Sequence, residues 1–132
     1  MKKIILLLML LSASLFAELT NSYLTQEMLN SDLPIVDVRT VGEWKNEGIL
    51  KEAIPIEFYN EKGKYDINAF LTELNAKVDT SKPFAIICRT GSRTSIIASW
   101  MSQKLNYDVT NILGGMEYAI KGLKIKVHLY KK

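Results

Sequence analysis

The sequence contains the segment Pro83-Phe84-Ala85-Ile86-Ile87-Cys88-Arg89-Thr90-Gly91-Ser92-Arg93. Its apolar first half leads through a short polar loop into an amphipathic helical pattern that begins near Thr94. A continuous apolar run of this length is typical of a central parallel strand that is buried on both faces. Cys88, the only cysteine, therefore stands at the carboxyl end of a predicted strand, where parallel sheets place their ligand sites.

The loop after this strand is suited to a reactive thiolate. Its backbone N–H groups converge on one point, and the amino terminus of the following helix adds positive potential there. Two arginines act in the same direction, and the thiolate is the nucleophilic form of cysteine. An inert buried cysteine is the alternative, because free cysteine is among the most buried residue types. The polar loop favours the reactive interpretation, with Cys88 as nucleophile and a substrate-binding loop of Arg89, Thr90, Gly91, Ser92 and Arg93.

Short strands alternate with helices along the chain. Further strands are predicted at 33–38, 53–56 and 109–113, and alternation in the tail predicts an edge strand at 123–129. Helix starts are marked by Thr25, the capping box at 40–43, and Asp66. One apolar stripe is expected on the helix after the loop, formed by Ile96, Ile97, Trp100, Met101 and Leu105. The pattern predicts an α/β fold with a small, mainly parallel sheet flanked by helices on both faces.

Length and composition indicate one globular domain. The 132 residues are 48% hydrophobic and 23% charged, which is ordinary for a folded protein. The formal charge is +3. Without Lys2 and Lys3, 15 basic residues face 14 acidic ones, a net charge of +1. This balance gives no electrostatic reason to expect a nucleic-acid partner.

The amino terminus resembles a secretory signal peptide. Residues 1–17 contain two lysines, an apolar run from Ile4 to Leu11, and small residues before Ala17. We expect cleavage after Ala17, a mature single domain at 18–132, and a periplasmic or secreted location. The apolar run is shorter than the roughly 20 residues of a spanning helix, so no membrane span is expected after cleavage. An uncleaved anchor is the alternative.

The expected export of the protein bears on the role of its single cysteine. Exported proteins usually pair their cysteines in disulfides, which one cysteine cannot do within its own chain. Cys88 is therefore expected to be a reactive thiol or an intermolecular partner. His128 is the only histidine, and we interpret it as a solvated residue, so no metal site and no cofactor are predicted.

Three motifs in order resemble the single-domain rhodanese (thiosulfate sulfurtransferase) family. The loop pattern Cys-x-x-Gly-x-Arg is met by Cys88, Gly91 and Arg93. An early signature resembles Asp37-Val38-Arg39-Thr40 with Glu43-Trp44 and Glu47-Gly48, and a late one resembles Leu113-Gly114-Gly115-Met116. Two positions depart from the family. Ile49 replaces a usual histidine, and Tyr118 and Ala119 stand where a tryptophan is common, which affects local packing more than chemistry.

The resemblance implies sulfur transfer through a persulfide on Cys88. The donor would be thiosulfate or another small anionic sulfur compound or persulfide, and the acceptor cyanide, a thiol or an unidentified protein. Arg89 would attract the donor and Arg93 would organise the loop, although a purely structural ion pair is the alternative for Arg93. Asp37 and Arg39 are interpreted as structural.

Two other functional classes stay open. Related phosphatases have five residues between cysteine and arginine, whereas Cys88 and Arg93 enclose four, so a phosphatase or arsenate reductase is disfavoured. A non-catalytic sulfur carrier or interaction module is the other alternative.

Overall fold

A parallel sheet of five strands forms the centre of the fold in the computed structural model, which describes residues 17–132. The sheet order is β1-β5-β4-β2-β3, and every neighbouring pair is parallel. The strands are β1 (Leu19–Tyr23), β2 (Ile35–Asp37), β3 (Ile54–Pro55), β4 (Phe84–Ile87) and β5 (Val109–Leu113). The order places β4, and with it Cys88, in the middle of the sheet.

The central strand is buried on both faces, as the apolar run predicts. Phe84, Ile86 and Cys88 face one hydrophobic cluster, whereas Ala85 and Ile87 face the other. All five residues are fully buried. This alternation follows from the two-residue period of a strand, and it requires a helical layer on each side. The α/β class with helices on both faces is confirmed.

Within residues 17–132, five helices supply the two layers. They are α1 (Gln26–Asn30), α2 (Val41–Glu47), α3 (Ile67–Lys77), α4 (Ser92–Leu105) and α5 (Gly115–Glu117), which continues into a π-helical turn (Tyr118–Gly122). α3 and α4 contribute buried side chains to the cluster that holds Cys88, and α5 contributes to the opposite one. The predicted amino-terminal caps of α1, α2 and α3 are all present, including the reciprocal capping box of α2.

Strand β1 was not expected from the sequence. Its residues Leu-Thr-Asn-Ser-Tyr carry no apolar alternation, and none of its side chains is fully buried. It pairs with β5 along its whole length, from Leu19 opposite Val109 to Tyr23 opposite Leu113. Main-chain hydrogen bonds to a neighbour, rather than a hydrophobic face, thus define this strand.

Two expectations were wrong in detail. The tail at 123–129 is not an edge strand: its one ladder contact is an isolated antiparallel bridge between Ile49 and His128. Leu123, Ile125 and Val127 do pack against the core, but Leu129 is 81% exposed. On α4, Ile96 is 67% exposed and lies outside the buried stripe. Ile96 is adjacent to the buried Ile97, so the helix turns its side chain about 100° away from the buried side. The tail keeps its apolar period but pairs with another segment at one residue only.

The predicted signal peptide lies outside the described residues, apart from Ala17, so the cleavage site stays a prediction. Within residues 17–132, no helix has the length and apolar character needed to cross a membrane.

A fully buried arginine ties the sheet to α2. The Arg39 guanidinium donates to both carboxylate oxygens of Asp37 (2.7 to 3.2 Å), to Glu47 (3.0 Å) and to the carbonyl oxygen of Gly48 (2.7 Å). The side chains of Arg39 and Asp37 are both inaccessible to solvent. The hydrogen bond and charge of Asp37 raise the pKa of Arg39 even though burial itself lowers it. The structural role expected for this pair agrees with these contacts.

We predict that Arg39→Met lowers the free energy of unfolding by about 3–5 kcal/mol, because Asp37 would be left as an unpaired buried charge. Urea unfolding followed by tryptophan fluorescence measures the change. Lys77→Met is the matched control, since Lys77 pairs with Glu73 on an exposed helix surface (2.9 Å). The control should cost at most about 1 kcal/mol. Equal losses in the two variants would contradict the role given to Arg39.

Candidate active site

The loop after β4 closes around the sulfur of Cys88. The backbone N–H of Gly91 donates to Sγ with an N–S distance of 3.2 Å. The Thr94 hydroxyl lies 3.5 Å from Sγ and 3.3 Å from the carbonyl oxygen of Gly91. As Sγ loses its proton, this hydroxyl can turn from the carbonyl to donate to the thiolate. Both Cys88 and Thr94 are fully buried, so these donors act on the sulfur where water does not compete with them.

Two glycines make this conformation possible. Gly91 has φ +96° and leads directly into α4, so it occupies a backbone region that side-chain-bearing residues rarely adopt. Gly115 has φ +57°, and a Cβ there would collide with the carbonyl oxygen of Cys88. That close approach lets the backbone N–H of Met116 donate to the Cys88 carbonyl (2.8 Å) and that of Glu117 to the Arg89 carbonyl (3.0 Å). These two main-chain hydrogen bonds from the late motif and the residue after it therefore hold the start of the cysteine loop in place.

The far end of the loop is fastened by an ion pair. Arg93 donates two parallel hydrogen bonds to Glu43 on α2, of 2.7 and 2.9 Å. Burial raises the pKa of Glu43, but the hydrogen bond from Arg93, the Thr40 backbone N–H and the charges of Arg93 and Arg39 outweigh it and hold that pKa below its usual value. The structure thus gives Arg93 the ion-pair role that was the alternative for it, and this pair also organises the loop.

A second carboxylate from α2 reaches the exposed arginine of the loop. Glu47 places one carboxylate oxygen 3.8 Å from Nε of Arg89 and the other 3.0 Å from the buried Arg39. The Arg89 side chain is 61% exposed and that of Glu47 is 35% exposed. Glu47 therefore connects the buried arginine to the rim of the loop.

A mainly apolar pocket of about 320 Å³ lies beside Arg89. Its apolar part comes from α5, the turn after it and the tail, and it is formed by Met116, Ile120 and Val127. Charged groups of both signs stand around it, namely Glu47, Arg89, Glu117 and Lys121. The pocket thus offers apolar contact without a net charge.

Of the five residues predicted to follow Cys88 in the site, Arg89, Thr90 and Gly91 form the turn after β4, and Ser92 and Arg93 begin α4. Among these five, Gly91 is the one that donates to Sγ. The hydroxyls of Thr90 and Ser92 lie 3.3 Å apart at the exposed surface. Sequence reasoning did not include Thr94, Glu43 and Glu47 in the site. The spacing of four residues between the two glutamates places them on one side of α2, but nothing local shows that this side faces the loop. Residues 17–132 contain no cluster of three His, Cys, Asp or Glu side chains that could hold a metal ion.

Comparison with known proteins gives relatives of this architecture. An uncharacterized protein from Rickettsia prowazekii (strain Madrid E) is 34% identical over 93 residues, covering 68% of this chain and 74% of that protein. The crystal structure of Rv0390 from M. tuberculosis superposes with a TM-score of 0.61 at 21% identity, covering 74% of this chain and 80% of that one. A rhodanese-like domain protein from Staphylococcus aureus gives a TM-score of 0.56 at 24% identity, covering 74% and 89%. At these identities, the two structures are evidence for the fold alone.

A family model provides the assignment. The model described as the rhodanese-like domain matches residues 20–120, from β1 to the turn after α5. This range contains the early motif, the cysteine loop and the late motif, so the resemblance drawn from these motifs is confirmed at the level of the family. The chain belongs to the rhodanese-like domain family.

Proposed function

We propose that this protein is a sulfurtransferase that carries a sulfane sulfur on Cys88. The observation that supports this proposal most directly is the enclosure of Sγ by the Gly91 N–H and the Thr94 hydroxyl in a loop of four residues between Cys88 and Arg93. Such donors stabilise the thiolate before reaction, and they remain beside the sulfur of Cys88 when it carries the persulfide.

The proposed reaction has two steps. The Cys88 thiolate attacks the outer sulfur of a donor, a sulfur–sulfur bond forms, and the donor's own bond to that sulfur breaks. With thiosulfate as donor, sulfite leaves with the bonding electron pair. An acceptor such as cyanide or a thiol then takes the outer sulfur and restores the thiolate. Covalent intermediates of this kind divide one difficult transfer into two easier ones.

The other classes make different demands on the loop. A phosphatase or arsenate reductase of this fold would hold a tetrahedral oxyanion, and the loop of this chain has one residue fewer to surround it. A non-catalytic sulfur carrier would use the same loop without turnover. We propose the enzyme because the donors around Sγ serve both the thiolate and the persulfide.

We also propose that the protein acts after export, in the periplasm or outside the cell. Residues 1–17 support this proposal with their lysines, apolar run and small residues before Ala17.

We predict that the native protein, exposed to thiosulfate and then desalted, gains the mass of about one sulfur atom and loses it on cyanide treatment. Cys88→Ser should show no gain, since the hydroxyl of serine is too weak a nucleophile to hold sulfur. Intact-mass spectrometry reads both states, and cyanide-dependent thiocyanate release gives the turnover. The mass of protein purified from its native compartment also shows whether the chain begins at Glu18.

Three outcomes separate the classes. Full sulfur transfer by Cys88→Ser would disprove the mechanism. Hydrolysis of an aryl phosphate without sulfur transfer would favour the phosphatase. A persulfide that forms but never turns over with cyanide or a thiol would favour the carrier.

The Glu43–Arg93 pair should make the stability of the loop depend on pH. Because the folded-state pKa of Glu43 lies below its usual value of 4.5, the pair stabilises the fold above that pH. The contribution is lost as the pH falls through the depressed pKa.

We predict that Glu43→Gln lowers the free energy of unfolding by about 1–3 kcal/mol at pH 7, because charged hydrogen bonds to Arg93 are removed. The difference from the native protein should shrink at pH 3, because the contribution of the pair begins to be lost once the pH falls below 4.5, the usual pKa value for the Glu43 carboxyl. Urea unfolding at both pH values measures this, with Glu73→Gln as the control for an exposed pair. A difference of the same size at both pH values would show that the pair does not act through its charge.

A further inference from the structure

The charges around the cysteine loop are matched one to one. Glu43 and Glu47 stand one helical turn apart on α2 and face Arg93 and Arg89, respectively. The third arginine, Arg39, is held by Asp37. Each of these three arginines thus has a guanidinium nitrogen within 4.0 Å of a carboxylate oxygen. A thiolate on Cys88 would make the whole group negative by one charge.

A dianionic donor meets a disadvantage at such a site. To bind Arg89, thiosulfate must come close to the negative charge of Glu47, whose carboxylate lies 3.8 Å from Nε of that arginine. Arg93 is still less available to a donor than Arg89, because it already donates two hydrogen bonds to Glu43. Repulsion from the thiolate and from two carboxylates grows with the charge of the donor, so a donor of lower charge is favoured.

The pocket beside Arg89 offers such a donor a place for an organic group. Its floor is apolar, formed by Met116, Ile120 and Val127, and its volume is about 320 Å³. Its charged rim is also balanced, because Lys121 pairs with Glu117 (3.2 Å) just as Arg89 pairs with Glu47. The pocket is fixed to the loop, since backbone N–H groups of Met116 and Glu117 donate to the carbonyls of Cys88 and Arg89.

We infer that Glu47 is a specificity-determining residue that directs Cys88 toward organic sulfane-sulfur donors and away from thiosulfate. This inference rests on the sulfurtransferase function proposed above. The donor class is an organic persulfide of at most one negative charge, whose apolar body occupies the pocket of Met116, Ile120 and Val127. Arg89 is then a rim residue held by Glu47, not the anchor of a small dianion.

The step balances without a further reagent. The Cys88 thiolate attacks the outer sulfur of the organic persulfide, and a new sulfur–sulfur bond forms at Cys88. The bond between the two donor sulfurs breaks, and the inner sulfur leaves with the electron pair as an organic thiolate. The outer sulfur keeps its oxidation state, and its proton is taken up by the departing thiolate.

Three stable probes with the same reacting sulfur test the inference. Thiosulfate carries two negative charges, methanethiosulfonate carries one, and benzenethiosulfonate carries one together with an apolar ring. Each gives the same Cys88 persulfide and releases sulfite or a sulfinate. With cyanide as acceptor, the kcat/KM of each donor reports its own half-reaction. A ratio of two donors on one protein sample cancels any difference in the folded fraction.

Glu47→Gln should raise kcat/KM for thiosulfate by about two- to fivefold, the range of a partly exposed ion pair, and that for either thiosulfonate by less than about twofold. The amide oxygen of the new side chain can still accept from Arg39. Glu73→Gln, which removes a carboxylate from an exposed pair far along the chain on α3, should leave all three values unchanged.

A substitution of Val127 tests the role of the apolar pocket. Val127→Asn should lower the ratio of benzenethiosulfonate to methanethiosulfonate, by about fourfold for each part of the ring, equal in area to one methylene group, that the pocket no longer shields from water.

The outcomes distinguish this inference from the proposed function. If thiocyanate release requires Cys88 but Glu47→Gln leaves the thiosulfate to methanethiosulfonate ratio unchanged, the inference is overturned and the sulfurtransferase function stands. If no probe gives release that depends on Cys88, both fail together. A rise in the thiosulfate ratio in Glu47→Gln, absent in Glu73→Gln, supports the inference.

Discussion

The hydrogen bonds of the buried Arg39 guanidinium hold the elements of the site in their relative positions. This guanidinium binds Asp37 at the end of β2, Glu47 at the end of α2 and the carbonyl of Gly48. A charge with no access to water must satisfy its hydrogen bonds within the protein, so these three partners are fixed relative to each other. α2 is thereby set beside the cysteine loop, and its carboxylates come within reach of the loop arginines. The geometry around the sulfur follows from a charge pair on a neighbouring strand.

The sequence predicted the parts of the molecule that local chemistry determines. The apolar run before Cys88 indicated a strand covered on both faces, and the structure alternates its side chains between two clusters. The caps at Thr25, Thr40 and Asp66 depend on residues three positions apart, and all three are present. The cysteine loop was predictable for the same reason, because its polar residues and glycine lie next to each other in the chain.

What the sequence did not predict depends on contacts between distant residues. β1 is held by main-chain pairing with β5, and such pairing does not require a particular pattern of side chains in β1. The tail has the alternation of a strand but finds only one bridge, at Ile49, so period alone misidentified it. The opposition of Glu47 and Arg89 joins α2 to the loop after β4. Each half of that pair is an ordinary surface charge until the fold brings them together.

The pairing of β1 with β5 has a consequence for how the chain assembles. The hydrogen bond from the Glu18 backbone to Asp108 spans 90 residues, so joining β1 closes a loop that contains nearly the whole domain. β1 buries little side-chain surface, so little besides its main-chain pairing with β5 holds it in the sheet. While β1 is detached, β5 is an open sheet edge from Val109 to Leu113. A second molecule can supply the missing strand in the same register, so concentrated refolding of this protein favours strand-exchanged dimers.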